Sequence, residues 1–122
     1  MQLSAARNEY ESFQVVVTAV GGRLEGVDAS MGPLKSEDGR VLPAGNVVIY
    51  REAYVPVRYS APRATCPPGL TPDPLIPFKN PYTGDAVPEP KWKEDERVGP
   101  RFGAPGFDLW QDRHQPLWVD VL

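Results

Sequence analysis

The 122-residue chain has little of what reactive centres are built from. It contains one cysteine, Cys66, and one histidine, His114. A single cysteine cannot close a disulfide within the chain. Cys66 is buried, free, or bridged to another chain. Transition-metal sites draw on several His or Cys ligands, and the two here lie far apart in sequence, so no zinc or copper centre is expected. Ser-His-Asp catalysis would have to use His114, yet no G-x-S-x-G elbow accompanies it. Neither the P-loop pattern nor G-x-G-x-x-G occurs. The run from Gly99 to Gly106 is glycine-rich, but Pro100 and Pro105 remove N–H donors that a phosphate would need. No cofactor is therefore expected. No run approaches the roughly 18 apolar residues of a membrane span. With a net charge of −3, a pI near 5.1 and no basic stripe, the term that drives nucleic-acid binding is missing. The opening Met1-Gln2-Leu3-Ser4 has no apolar core of a signal peptide.

Proline is what the chain has in excess, with 15 residues. Average usage is about 5%. Because proline fixes φ and lacks an N–H, this density opposes long helices. No segment shows a convincing helical period, and no internal repeat is visible. Phe13 to Val20, rich in valine and stopped by Gly21-Gly22, is the clearest strand. Its three consecutive valines predict burial on both faces or a central position. A short strand is expected at Leu3–Ala6 and another over Leu24–Met31. Glu37-Asp38-Gly39-Arg40 reads as a tight turn, and Pro43 to Asn46 as a second. Val47 to Val57 reads as a long strand with Pro56 at its end or on an edge.

From Tyr59 to Arg113 apolar periodicity is lost, and 13 of the 15 prolines lie between Pro56 and Pro116. Loops this long are uncommon in compact domains and usually carry function or disorder. Regular structure returns at Pro116 to Leu122, which places Leu117, Val119 and Val121 on one face. The expected fold is all-β: a single β-sandwich domain over residues 1–122, jelly-roll or Ig-like, with a long Pro-rich irregular region at 59–113. The chain stops inside a strand, as a piece of a longer protein would.

The remaining chemistry is carboxylates and rings. Asp73, Asp85 and Asp95 could supply loop oxygens to calcium, but no EF-hand spacing supports this. Two carboxylates could serve a glycosidase, and solvated faces account for acidic residues as readily. Trp92, Trp110, Tyr82 and Phe107 stand as candidate carbohydrate contacts, because long loops commonly carry binding residues. The competing expectation is that such rings, with Phe102, form a satellite core that anchors the loop. Trp118 is expected in the core or at an inter-domain contact.

Three stretches together resemble a known family. They are Leu3-Ser4-Ala5-Ala6-Arg7-Asn8-Glu9-Tyr10-Glu11-Ser12-Phe13-Gln14-Val15-Val16-Val17, then Pro68-Gly69-Leu70-Thr71-Pro72-Asp73-Pro74-Leu75-Ile76-Pro77, then Gln115-Pro116-Leu117-Trp118-Val119-Asp120-Val121. In that order they resemble the N-terminal β-sandwich domain of proteins related to glycoside hydrolase family 123, including the DUF4091 group. The resemblance spans nearly the whole chain and includes no catalytic signature. It implies a non-catalytic domain ahead of a C-terminal catalytic barrel that acts on N-acetylgalactosaminides. The barrel's acidic pair has no counterpart here, so no catalytic residue is assigned. The resemblance also implies a secreted or periplasmic parent, further strands after Leu122, a Lys91–Arg113 connection longer than the family's own, and a rigid extended turn at Pro72-Asp73-Pro74.

Three functions follow from these readings. The first is an accessory, glycan-binding domain of a carbohydrate-active protein. The second is a structural or oligomerising module, including a homodimer that completes an open sheet edge. The third is a small enzyme with its site in the Pro-rich half, which would require Asp73, Asp108, Asp112 and His114 to converge.

Overall fold

The computed structural model of the chain describes residues 9–59, 67–80, 82–85 and 106–122. The expected strand at Leu3–Ala6, together with Cys66, Trp92, Asp95 and Phe102, lies outside them. Among the described residues the fold is β-strand with one turn of 3₁₀ helix. The strands are β1 (Glu11–Thr18), β2 (Leu24–Val27), β3 (Leu34–Lys35), β4 (Val41–Leu42), β5 (Val47–Val57), β6 (Gly69–Pro77), β7 (Phe107–Leu109) and β8 (His114–Val121). All pairings are antiparallel. Four strands form one sheet in the order β1-β8-β5-β6, and β2-β7 and β3-β4 form two-stranded ribbons.

β8 lies inside the sheet, paired with β1 on one side and β5 on the other, and its alternation gives it two different faces. Leu117 and Val119 point to a buried face, as their spacing predicts. Leu117 gathers with Ala19, Phe78, Phe107 and Leu109 into the apolar cluster, flanked by Val17, Val27, Ala29, Ile49 and Ile76. Phe78 and Phe107 meet edge to face, with centroids 6.4 Å apart. The cluster thus takes residues from the four-stranded sheet and from the β2-β7 ribbon. Ala19 is fixed at the corner by two backbone bonds, from its own N to Arg113 O and from Asp112 N to its O. Asp112 takes a φ of 61° there, a left-handed conformation that Asp tolerates better than most residues.

The three valines of β1 do not occupy a central position. Among the described residues β1 is the outermost strand of the sheet, and Val15 and Val16 are exposed. Their β-propensity secured a strand, but β-branching does not decide which strand sits inside. The proline-rich segment also departs from expectation, since β6 and β7 both lie within 59–113. Pro72-Asp73-Pro74 is not a turn but part of β6. Glu52 faces Leu75 and Tyr54 faces Pro72, so Asp73 and Pro74 together oppose Ala53 as a bulge. Among the described residues β6 is an edge strand of the sheet, a position that admits proline.

The Asp38-Gly39 turn forms as expected, with Gly39 at φ 85° and its N–H bonded to Ser36 O. Leu24–Met31 yields a shorter strand, Leu24–Val27. It is broken by a bulge, where Gly26, at φ 61°, donates its N–H to Asp108 Oδ1. The second expected turn is the 3₁₀ segment Ala44–Asn46. Asn46 then clasps Leu122 through two bonds, which ties the start of β5 to the end of β8.

The β5–β8 ladder ends at the Arg51–Leu117 pair. The next residue on β8 is Pro116, which has no N–H to offer. The side chain of Gln115, 1% exposed, supplies donors instead. Its Nε2 donates to Glu52 O at 2.6 Å and to Pro116 O at 3.0 Å, and its Oε1 accepts from Arg51 Nε at 3.0 Å. Arg51 is itself buried, with its guanidinium 4.5 Å from the Phe107 ring centroid. Desolvation brings its pKa down to about 10, so it remains charged at neutral pH. Gln115→Leu is expected to lower stability by about 1–3 kcal/mol, because it strands buried polar groups. Leu117→Ala is expected to cost about 2–5 kcal/mol. Urea midpoints at constant m-value measure both; a neutral Gln115→Leu would show that the amide is not holding the strands.

Candidate functional site

The sheet face opposite the apolar cluster carries a different chemistry. Residues directly opposite in an antiparallel ladder share a face, so the register lays the outer face out in rows. Ser12, Asp120 and Val48 form one row. Gln14, Trp118, Tyr50 and Pro77 form the next. Val16 and Pro116 follow, with Glu52 and Leu75 beyond them, and then Thr18 and His114. Tyr54 lies farther along β5 on the same face. Two aromatic residues, Trp118 and Tyr50, therefore occupy directly opposed positions on this face, with carboxylates, amides and hydroxyls around them.

Hydrogen bonds hold these groups in place. Trp118 Nε1 donates to Asp120 Oδ1 at 2.7 Å, which ties the indole along its own strand. Ser12 Oγ donates to the same oxygen at 2.6 Å. Gln14 Nε2 donates to Glu52 Oε1 at 2.6 Å, reaching from β1 across β8 to β5. Glu52 and Pro116, beneath that bridge, are buried. Thr18 Oγ1 and His114 Nδ1 share a bond of 3.0 Å, and Tyr54 OH donates to His114 O at 3.2 Å. Desolvation, and then the charge of Asp120 with Tyr10 and Tyr82, raises the Tyr50 phenol above its usual value. Desolvation followed by Glu52 raises Tyr54. Tyr10 and Tyr82, both exposed, are thus within electrostatic reach of the Trp118–Tyr50 row.

The three described rings of the four chosen from sequence do not form one surface. Phe107 is 5% exposed and packs beneath Arg51 in the apolar cluster. It is removed from the carbohydrate set, because a ring enclosed by protein offers no face to a ligand. Trp110 is 57% exposed, but the Arg23 guanidinium covers one face at 4.3 Å. Arg23 also pairs with Asp108 and, at 3.5 Å, with Glu25. Tyr82 is 95% exposed. Trp92 lies outside the described residues. The row's principal ring, Trp118, was expected in the core or at a domain contact, yet it is half-buried on the outer face. Strand alternation from Leu117 and Val119 already placed it opposite the core. The position of Tyr50 beside it needed the β5–β8 register, which no local signal carries.

The residues required for a separate enzyme have individual structural roles. Asp108 serves Arg23 and Gly26, His114 bonds Thr18, Asp73 sits in the β6 bulge, and Asp112 holds the turn before β8. Among the described residues no three His, Cys, Asp or Glu side chains gather to hold a metal ion. A separate cleft of about 360 Å³ lies between Ala29, Met31, Val47, Ile49, Phe78 and Lys79. Among the described residues, Ser30 and Lys79 provide its polar side chains. No protein-family model matches the chain, and no curated protein matches it.

The Tyr50 environment can be tested by titration. A raised phenol pKa means that the folded state holds the proton more tightly. Its contribution to stability is complete below the unfolded value of about 10, and is lost as pH climbs through the folded value. Asp120→Asn removes the charge but not the desolvation. The Tyr50 phenol should then titrate below its parent value, as ultraviolet difference absorbance will show. An unchanged titration would mean that Asp120 does not face Tyr50.

Proposed function

We propose that this chain is a non-catalytic accessory module of a carbohydrate-active protein and that it recognises glycan on the outer face of its four-stranded sheet. The observation that carries this reading is the Gln14–Trp118–Tyr50 row, with Asp120 and Glu52 beside it. A sugar offers an apolar C–H face and a rim of hydroxyls. Binding sites of this type combine aromatic surface with a few placed polar groups, and Trp and Tyr join an apolar body to a polar tip. Both bonds to Asp120 converge on Oδ1, which leaves its second oxygen to accept from a hydroxyl.

A sandwich arrangement is supported by the apolar cluster, which draws Leu117 from the large sheet and Phe107 and Leu109 from the β2-β7 ribbon. The resemblance to the N-terminal domain of family 123-related proteins supplies the remaining context. On that reading the module precedes a catalytic barrel, the parent is secreted or periplasmic, and the glycans are rich in N-acetylhexosamine.

A glycan array tests this reading. The folded parent chain should bind at least one glycan class. Tyr50→Ala and Trp118→Ala should each weaken that binding by about tenfold or more, equivalent to about 1.4 kcal/mol. Trp110→Ala, on the ribbon side, should leave it unchanged. Circular dichroism of each variant separates lost binding from lost fold. A folded parent that binds no glycan, or binding that disappears with Trp110 alone, contradicts the reading.

A further inference from the structure

The two edges of the four-stranded sheet are built differently. On β6, Pro72, Pro74 and Pro77 remove N–H donors, Asp73 adds a charge, and the bulge opposite Ala53 distorts the edge. These are the devices that keep a free edge from pairing. β1 carries none of them over most of its length. From Ser12 to Val20 there is no charge, no proline and no glycine. Val15 and Val16 are 44% and 53% exposed. Among the described residues β1 has β8 as its only strand neighbour. A long, uncharged edge of this kind is a template for another strand.

We propose that this edge pairs with the same edge of a second copy of this chain, antiparallel, about a two-fold axis perpendicular to the sheet. The case for a second copy is that β1 complements itself. An isologous contact requires each residue to meet an acceptable partner on the same strand, and directly opposed residues must share a face. The register with Val15 on the axis meets both conditions. It sets Phe13 against Val17 on the inner face, and Gln14 against Val16 and Ser12 against Thr18 on the outer face. Glu11 falls beside Ala19 at either end, so no like charges meet. Aromatic and β-branched pairs of the Phe13–Val17 type are among the favourable cross-strand pairs. Val15, on the inner face yet exposed, gains a partner at the axis. The outcome is a continuous sheet of eight strands, with β6 at both ends as its protected edges. This inference does not depend on what the outer face binds.

Sedimentation equilibrium and disulfide trapping together test it. The parent chain should sediment at twice its 13.5 kDa mass. Val15→Lys places two ammonium groups against each other on the axis and should sediment as a monomer with an unchanged far-ultraviolet spectrum. In a Cys66→Ser background, Val15→Cys should form an intermolecular disulfide under mild oxidation. Opposed residues lie about 4.5–5.5 Å apart between Cα atoms, within the reach of a disulfide. Pro74→Cys, on the protected edge, should remain reduced. If Val15→Lys fails to fold, the trapping result decides alone. A monomeric parent overturns the proposal, as does a dimer that leaves Val15→Cys reduced; either would mean that another surface, or another part of the chain, serves this edge.

Discussion

The structure depends on what happens at Pro116. The central strand β8 must satisfy neighbours on both sides, and Pro116 cannot donate a backbone N–H. The ladder toward β5 ends one residue short of it, at Leu117, whereas the pairing with β1 continues to His114. Gln115 meets the deficit by turning its amide to the carbonyls of Glu52 and Pro116. Once released from β8, the second half of β5 has, among the described residues, only β6 as a strand partner, and the β6 bulge falls just beyond the release point, opposite Ala53. The inner face is organised by the same amide, because Gln115 Oε1 holds Arg51 against Phe107. A buried cation with a ring on one side and an amide on the other is costly to desolvate but expensive to disturb.

The outer face inherits its shape from the same place. Pro116 has no long side chain, so Gln14 and Glu52 can meet above it from strands that are not neighbours. The bridge separates the Trp118–Tyr50 row from the Thr18–His114 row. The two faces of one sheet thus divide the work. One encloses a modest apolar cluster of Leu117, Phe78, Phe107 and Leu109, and the other presents rings and oriented polar groups to solvent. Trp110 belongs to neither, since its indole is engaged by Arg23 at the ribbon.

Much of the fold was legible where local chemistry decides it. Alternation at Leu117 and Val119 foretold β8 and its buried face, and Asp38-Gly39 foretold a turn with positive φ. The long strand Val47–Val57 was plain from its composition. What was not legible depends on neighbours distant in the chain. Val15, Val16 and Val17 announce a strand but not its place at the edge. Pro72 and Pro74 argue against a strand unless that strand is an edge, which becomes known only when β5 is seen beside it. Phe107 and Trp110 look alike in a glycine- and proline-rich stretch, yet one is enclosed beneath Arg51 and the other is half covered by Arg23. The Trp118–Tyr50 pair was hidden for the same reason: the two residues are set opposite each other by register alone.

The central claim is that glycan recognition resides on the outer face at Trp118 and not at the ribbon. The most direct measurement is a proton–nitrogen correlation spectrum of the indole N–H groups during titration with N-acetylhexosamine oligosaccharides. Trp118 donates to Asp120, and any hydroxyl that competes for that carboxylate must perturb its resonance. A progressive, saturable shift of the Trp118 indole with a still Trp110 resonance is the expected result. A shift at Trp110 while Trp118 stays fixed would contradict the account.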